Sequence, residues 1–112
     1  MSLATERGGV PRTSTAAANT VVTQTIAAVT GSRHYLGALV VSYSAAPTGG
    51  RASIESPSGT TIFDVDITGA GPTTVPIPGA LMGAMSAAMI ITLAAGGAAV
   101  VGKVNSIVDT SA

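Results

Sequence analysis

RASIESPSGTTIFDVDI, residues 51–67, reads as two alternating strands folded back on each other. Ser56-Pro57-Ser58-Gly59 separates the runs, with proline suited to the first central position and glycine to the fourth position of a type I turn. Alternation sends Ala52, Ile54, Phe63, Val65 and Ile67 to a core and Arg51, Ser53, Glu55, Asp64 and Asp66 to solvent. If the strands pair without a bulge, Arg51 faces Asp64 in a cross-strand ion pair, whereas a bulge at Gly59 shifts the register by one.

The same punctuation continues on both sides of this hairpin. VVTQTIAAV (Val21 to Val29) is rich in β-branched residues and stops at Gly31. YLGALVVSY (Tyr35 to Tyr43) is apolar on both faces, as a central strand requires, and ends in a loop through Pro47, Gly49 and Gly50. Thr73 to Ile77 is bracketed by prolines and reads as an edge piece. SAAMIITL (Ser86 to Leu93) and Ala98 to Val108 complete the set, with Gly102 marking a bulge in the last strand. About seven or eight short strands at intervals near ten residues predict an all-β antiparallel sandwich of jelly-roll type.

Residues 1–18 form an extended N-terminal arm ahead of a sandwich domain at 19–112. The arm mixes glycine, proline, serine, threonine and alanine around Leu3 and Val10, with no helical or strand period, so it has no core of its own. It reads as a frayed terminus or as a strand that docks on a partner through Leu3, Arg7, Val10, Pro11 and Arg12.

Composition narrows the function. At 112 residues there is room for one domain, and charged residues make up 9% of the chain against 46% hydrophobic. From Ile67 to Gly102 no acidic, basic or histidine side chain occurs. Such a chain either enters a membrane or covers its surface with copies and partners. One Phe, two Tyr and no Trp leave a thin core of aliphatic residues, so subunit contacts are expected to add stability. The absence of cysteine excludes disulfides and thiolate metal sites and fits synthesis in a reducing cytoplasm. MSLATERGG lacks the basic and apolar regions of a secretory signal. Five basic and five acidic residues are scattered, leaving no patch for nucleic acid.

The uncharged run has a rival reading. Leu81 to Val101 matches the roughly 20 residues a membrane helix needs, and Met82, Met85 and Met89 fall at helical spacing. A short helix over Leu81 to Ala88 is a further option. Gly96-Gly97, Ser86, Thr92 and the β-branched Ile90, Ile91, Val100 and Val101 oppose a helix. On the sandwich reading no membrane is engaged, and Leu81, Met82 and Met85 supply subunit contact.

No constellation predicts catalysis, a metal or a cofactor. His34, the single histidine, lacks a nucleophile elbow and reads as a strand-start residue at the surface or a subunit contact. Asp64 and Asp66 point the same way about 7 Å apart, but a calcium ion needs further oxygens and the pair reads as a solvated face. Gly69-Ala70-Gly71 and Gly96-Gly97 lack the residues of a phosphate loop. A sugar-stacking site has only Tyr35, Tyr43 and Phe63 to draw on, the last assigned to the core.

IESPSGTTIFDVDI (54–67), VPIPGALMGA (75–84) and MIITLAAGGAAVVGKVNSI (89–107) together resemble small virion proteins of tailed bacteriophages. In particular the chain resembles the jelly-roll cement, or decoration, proteins on the outside of icosahedral heads, over roughly Arg33 to Val108. The likeness is one of style (small residues, short strands, few charges) and transfers no family site to a numbered residue. It implies a homo-oligomer, dimer or trimer, bound to the major capsid protein at the capsid surface of the virion and stabilising the shell by mass action. A carbohydrate- or receptor-binding module of a head fibre or tail is the alternative, and a small membrane protein the third.

Overall fold

The 51–67 hairpin lies at the tip of a much longer ribbon. The computed structural model describes residues 9–77 and 79–112, which hold nine strands and no helix. They are β1 (Val10–Thr15), β2 (Val22–Ile26), β3 (Arg33–Tyr43), β4 (Arg51–Glu55), β5 (Thr61–Asp66), β6 (Gly71–Val75), β7 (Leu81–Met82), β8 (Met89–Leu93) and β9 (Gly102–Ser111). β4 pairs antiparallel with β5, and outside that pair the partners nest as β3 with β6, β2 with β8 and β1 with β9. One antiparallel ribbon has been rolled until β9 also pairs β3 and β8 also pairs β4. The product is two packed sheets, ordered β1-β9-β3-β6 (with β7 beside β3) and β2-β8-β4-β5. That winding is the jelly roll the strand spacing predicted.

The hairpin departs from expectation at its turn. Thr60 N–H donates to Pro57 O at 3.0 Å, so the turn spans Pro57 to Thr60 and Gly59 takes its third position at φ +89°. Positive φ there, without one at Ser58, makes a type II turn rather than type I. A bulge at Ile62 follows, and Arg51 faces Asp66 while Ser53 faces Asp64. Neither expected register occurs, yet the faces are kept because the offset is even. Ala52, Ile54 and Ile67 are buried, and Phe63 and Val65 are half-buried against them.

Arg51 nonetheless reaches Asp64 diagonally, with Nε donating to Oδ1 at 2.6 Å and a second guanidinium N–H to Oδ2. These bonds hold the Asp64 carboxyl below its usual value of 3.8. A lowered folded-state value means the pair stabilises at neutral pH, and that contribution fades as pH falls below the ordinary carboxylate range. An NMR titration should show the Asp64 midpoint rising in Arg51→Ala. An unchanged midpoint would show that the pair is not formed in solution.

β3 is the central strand its sequence implies. Leu36 and Leu39 are both fully buried although an odd number of residues apart, which regular alternation forbids. An extra residue at Gly37, where the β3–β9 register shifts, resolves the conflict. Leu36, Leu39, Val41 and Tyr43 then pack toward Met89, Ile91 and Leu93 of β8 in the opposite sheet. Gly102 is no bulge: a Cβ there would sit 2.9 Å from Leu93 Cδ2 and 3.3 Å from Val22 Cγ2, so its missing side chain lets the sheets approach.

Two further expectations are corrected. Val10–Thr15, read as part of the arm, pairs with β9 along its whole length as an edge strand. Its inward residues Arg12 and Ser14 are polar, so the free hydrogen-bonding edge of β9, rather than apolar alternation, fixes it. Gln24 ties this edge inward, donating from Nε2 to Ser14 Oγ at 3.0 Å and accepting from Ser106 Oγ. Residues 81–101 hold β7, loops and β8 in place of a membrane helix or a short helix at 81–88. No helix among the described residues is long and apolar enough to cross a membrane. Ile90 and Ile91 pair with β2 and β4, while Val100 and Val101, beyond Gly96-Gly97, lie in the loop before β9.

Candidate interaction surface

Beyond Gly8, every charged residue lies on a strand: Arg12, Arg33, Arg51, Glu55, Asp64, Asp66, Lys103 and Asp109. The described loops at both ends of the sandwich carry none. At one end, residues 16–21, 44–50, 67–70 and 94–101 are small and tightly tied. Asn19 N–H donates to Val100 O and Ser44 N–H to Val101 O, both at 2.9 Å, and Ile67 N–H to Gly50 O at 3.0 Å.

The opposite end is built differently. There Ser86 joins the 27–32 and 83–88 loops, its N–H donating to Ser32 O at 2.8 Å and its Oγ accepting from Gly31 N–H at 2.8 Å. Ser56 Oγ accepts from Ala84 N–H at 3.0 Å and donates to Ala88 O at 2.9 Å, anchoring the hairpin tip to the same loop. β1 begins at this end, since Val10 pairs with Val108 near the close of β9.

His34 sits beneath this end, and it is not the surface or subunit-contact residue expected. It is 2% exposed. Nε2 lies 2.7 Å from Ala27 O, which can only accept, so Nε2 carries a proton. In the neutral ring Nδ1 then accepts from the Thr110 hydroxyl at 2.8 Å. The imidazole thereby clamps the loop after β2 to the end of β9. Thr110 stands 76 residues away in sequence, which is why no local pattern revealed the clamp.

Near this clamp the outer face of the β1-β9-β3 sheet is largely apolar around one carboxylate, Asp109. Register places Met82, Tyr35 and Asp109 in one row, and Ala38, Ile107 and Pro11 in the next. Met82 is 54% exposed and Met85, in the following loop, 47%. Val10, Val29 and Ile107 are exposed toward the same end, whereas Val21 is the large exposed apolar residue at the other. Beside the Tyr35–Asp109 row lies a hollow of about 330 Å³ lined by Tyr35, Gly37, Ala80, Asp109 and Ser111.

Of the expected subunit-contact residues, Met82 and Met85 reach this surface, while Leu81 turns inward and is half-buried against the core. Alternation along β7 separates the neighbours. Of the expected arm residues, Pro11 is exposed beside it, while Val10 (exposed at the strand's start) and half-buried Arg12 lie on the inward face of β1. Leu3 and Arg7 lie outside the described residues.

The remaining candidates separate. Tyr43 is buried, its hydroxyl donating to Ala94 O at 2.6 Å, and burial pushes its phenol up from its ordinary value. Phe63 packs on the core, which leaves Tyr35 alone beside the hollow. Asp64 is engaged by Arg51, and among the described residues no group of three His, Cys, Asp or Glu is placed to hold a metal ion. No family model, curated protein or solved structure matches the chain.

Proposed function

We propose that this chain is a structural assembly protein: a capsid decoration, or cement, protein that docks on the outer surface of a tailed-phage head and stabilises the shell. The observation that carries the reading is the end of the sandwich where Met82, Met85, Tyr35 and Ile107 gather among uncharged loops. Interface cores are depleted of charge and rich in methionine and aromatic residues, and this end has that composition. Binding to the folded shell lowers the free energy of the assembled state by mass action and requires no chemistry at the site.

The described chain begins at the same end, at Gly9 and β1, which supports a role for residues 1–8 in shell contact. Deleting Met1–Gly8 should abolish co-sedimentation with empty heads while leaving the unfolding transition unchanged. Cutting as far as Ala18 is the wrong experiment, because it removes β1 and strips β9 of a partner. Unimpaired binding without residues 1–8 would remove the segment from the mechanism.

The hollow favours one second reading, a carbohydrate- or receptor-binding module. An aromatic face, a carboxylate and a hydroxyl converge there, as Tyr35, Asp109 and Ser111. Glycan binding abolished by Tyr35→Ala would support it. Tyr43→Ala cannot serve as a test, because it opens the core.

A further inference from the structure

The described strands include five edges, and four of them are blunted: β7 is only two residues long. β1 carries Pro11, β6 carries Pro72, and β5 carries Asp64 and Asp66 beside its bulge at Ile62. Proline removes a donor, while charge and bulges oppose pairing with another chain. β2, the edge of the β2-β8-β4-β5 sheet, has none of these devices. Its residues, Val22-Thr23-Gln24-Thr25-Ile26, include neither proline nor charge, and among the described residues only β8 pairs with it. Val21, 48% exposed, precedes the strand on the solvent side of Thr23 and Thr25.

The β2 sequence also has a symmetry that selects its occupant. Read from Gln24 outward it is threonine then a β-branched aliphatic residue in both directions. We infer that β2 pairs antiparallel with β2 of a second copy about a two-fold axis at Gln24, joining two four-stranded sheets into one. In that register Val22 faces Ile26 of the second copy and Thr23 faces Thr25, while Gln24 meets its own equivalent. Buried Val22, Gln24 and Ile26 keep to the core side, and exposed Thr23 and Thr25 keep to solvent. Threonine pairs and β-branched pairs are both favourable across antiparallel strands. The contact is isologous and closes on itself, so it gives dimers and not filaments.

The inference deepens the assembly reading by naming how copies join, and it is tested without any shell. Light scattering on a gel-filtration column across a dilution series should show a dimer for the full chain. Thr23→Lys with Thr25→Lys places two like-charge pairs across the axis and should weaken the dimer about tenfold or more. Thr23→Lys with Thr25→Glu sets opposite charges face to face in the same register and should keep the dimer. Both variants point to solvent on β2, and denaturant unfolding at low concentration confirms that each is folded. A wild-type monomer at every concentration would overturn the inference. So would an oligomer indifferent to both variants, or one lost equally in both. None of these results bears on shell docking through the Met82 and Tyr35 end, which its own variants judge.

Discussion

Tyr35→Glu combined with Met82→Glu is expected to reduce shell binding by about a hundredfold or more. The two residues face each other across β3 and β7 on the outer surface. Docking would take two new carboxylates out of water against a partner surface with no cation opposite them. An uncompensated buried charge costs several kcal/mol, and Asp109 in the same row adds repulsion. Folding should be nearly untouched, because Met82 is more than half exposed and Tyr35 is not part of the core. The check is quantitative co-sedimentation with empty heads beside a denaturant melt of the free protein. Binding within a few-fold of wild type, with the fold intact, would move the docking surface elsewhere.

His34→Ala should give the second large effect, a loss of about 2–4 kcal/mol of folding stability. Three costs combine. The ring leaves a cavity at a position 2% exposed, Ala27 O loses its donor, and the Thr110 hydroxyl loses its partner. His34→Gln places an amide N–H near the former Nε2 and should recover part of the loss. Urea midpoints for the three proteins decide the matter. A cost under about 1 kcal/mol for the alanine variant would show that the clamp contributes little.

How much of this was written in the sequence depends on distance along the chain. The alternation of 51–67 needed only neighbours, and so did the two apolar faces of β3 and the prolines that confine Thr73–Val75 to an edge. Repeated turn signals implied the jelly roll, because eight principal strands too short to bury themselves singly must roll. The features that escaped depend on partners elsewhere. β1 exists because β9 offers it an edge, not because its inward Arg12 and Ser14 are apolar. The Gly37 bulge shows only once Leu36 and Leu39 are known to share a face. The hairpin register turned on which peptide of a proline-glycine turn closes the hydrogen bond, a choice that composition leaves open.

The interaction surface was half legible. Lack of charge from Ile67 to Gly102 pointed to contact with other molecules, and Met82 and Met85 were singled out from that run. Leu81 was grouped with them because only a strand assignment separates the inward from the outward residue of a two-residue β7. Tyr35, Ile107 and Pro11 joined them through register, which brings β1, β3, β7 and β9 together at one end.

The most direct test of the account is sedimentation of the full chain with empty heads assembled from the cognate major capsid protein, at low and at high salt. The account predicts saturable binding in fixed proportion to capsomers, weakened far less by salt than an ion-pair interface would be, since the loops at the proposed docking end are uncharged and Asp109 is the one charged residue in the Met82–Tyr35 row. No co-sedimentation at either salt, or binding that salt abolishes, would contradict it.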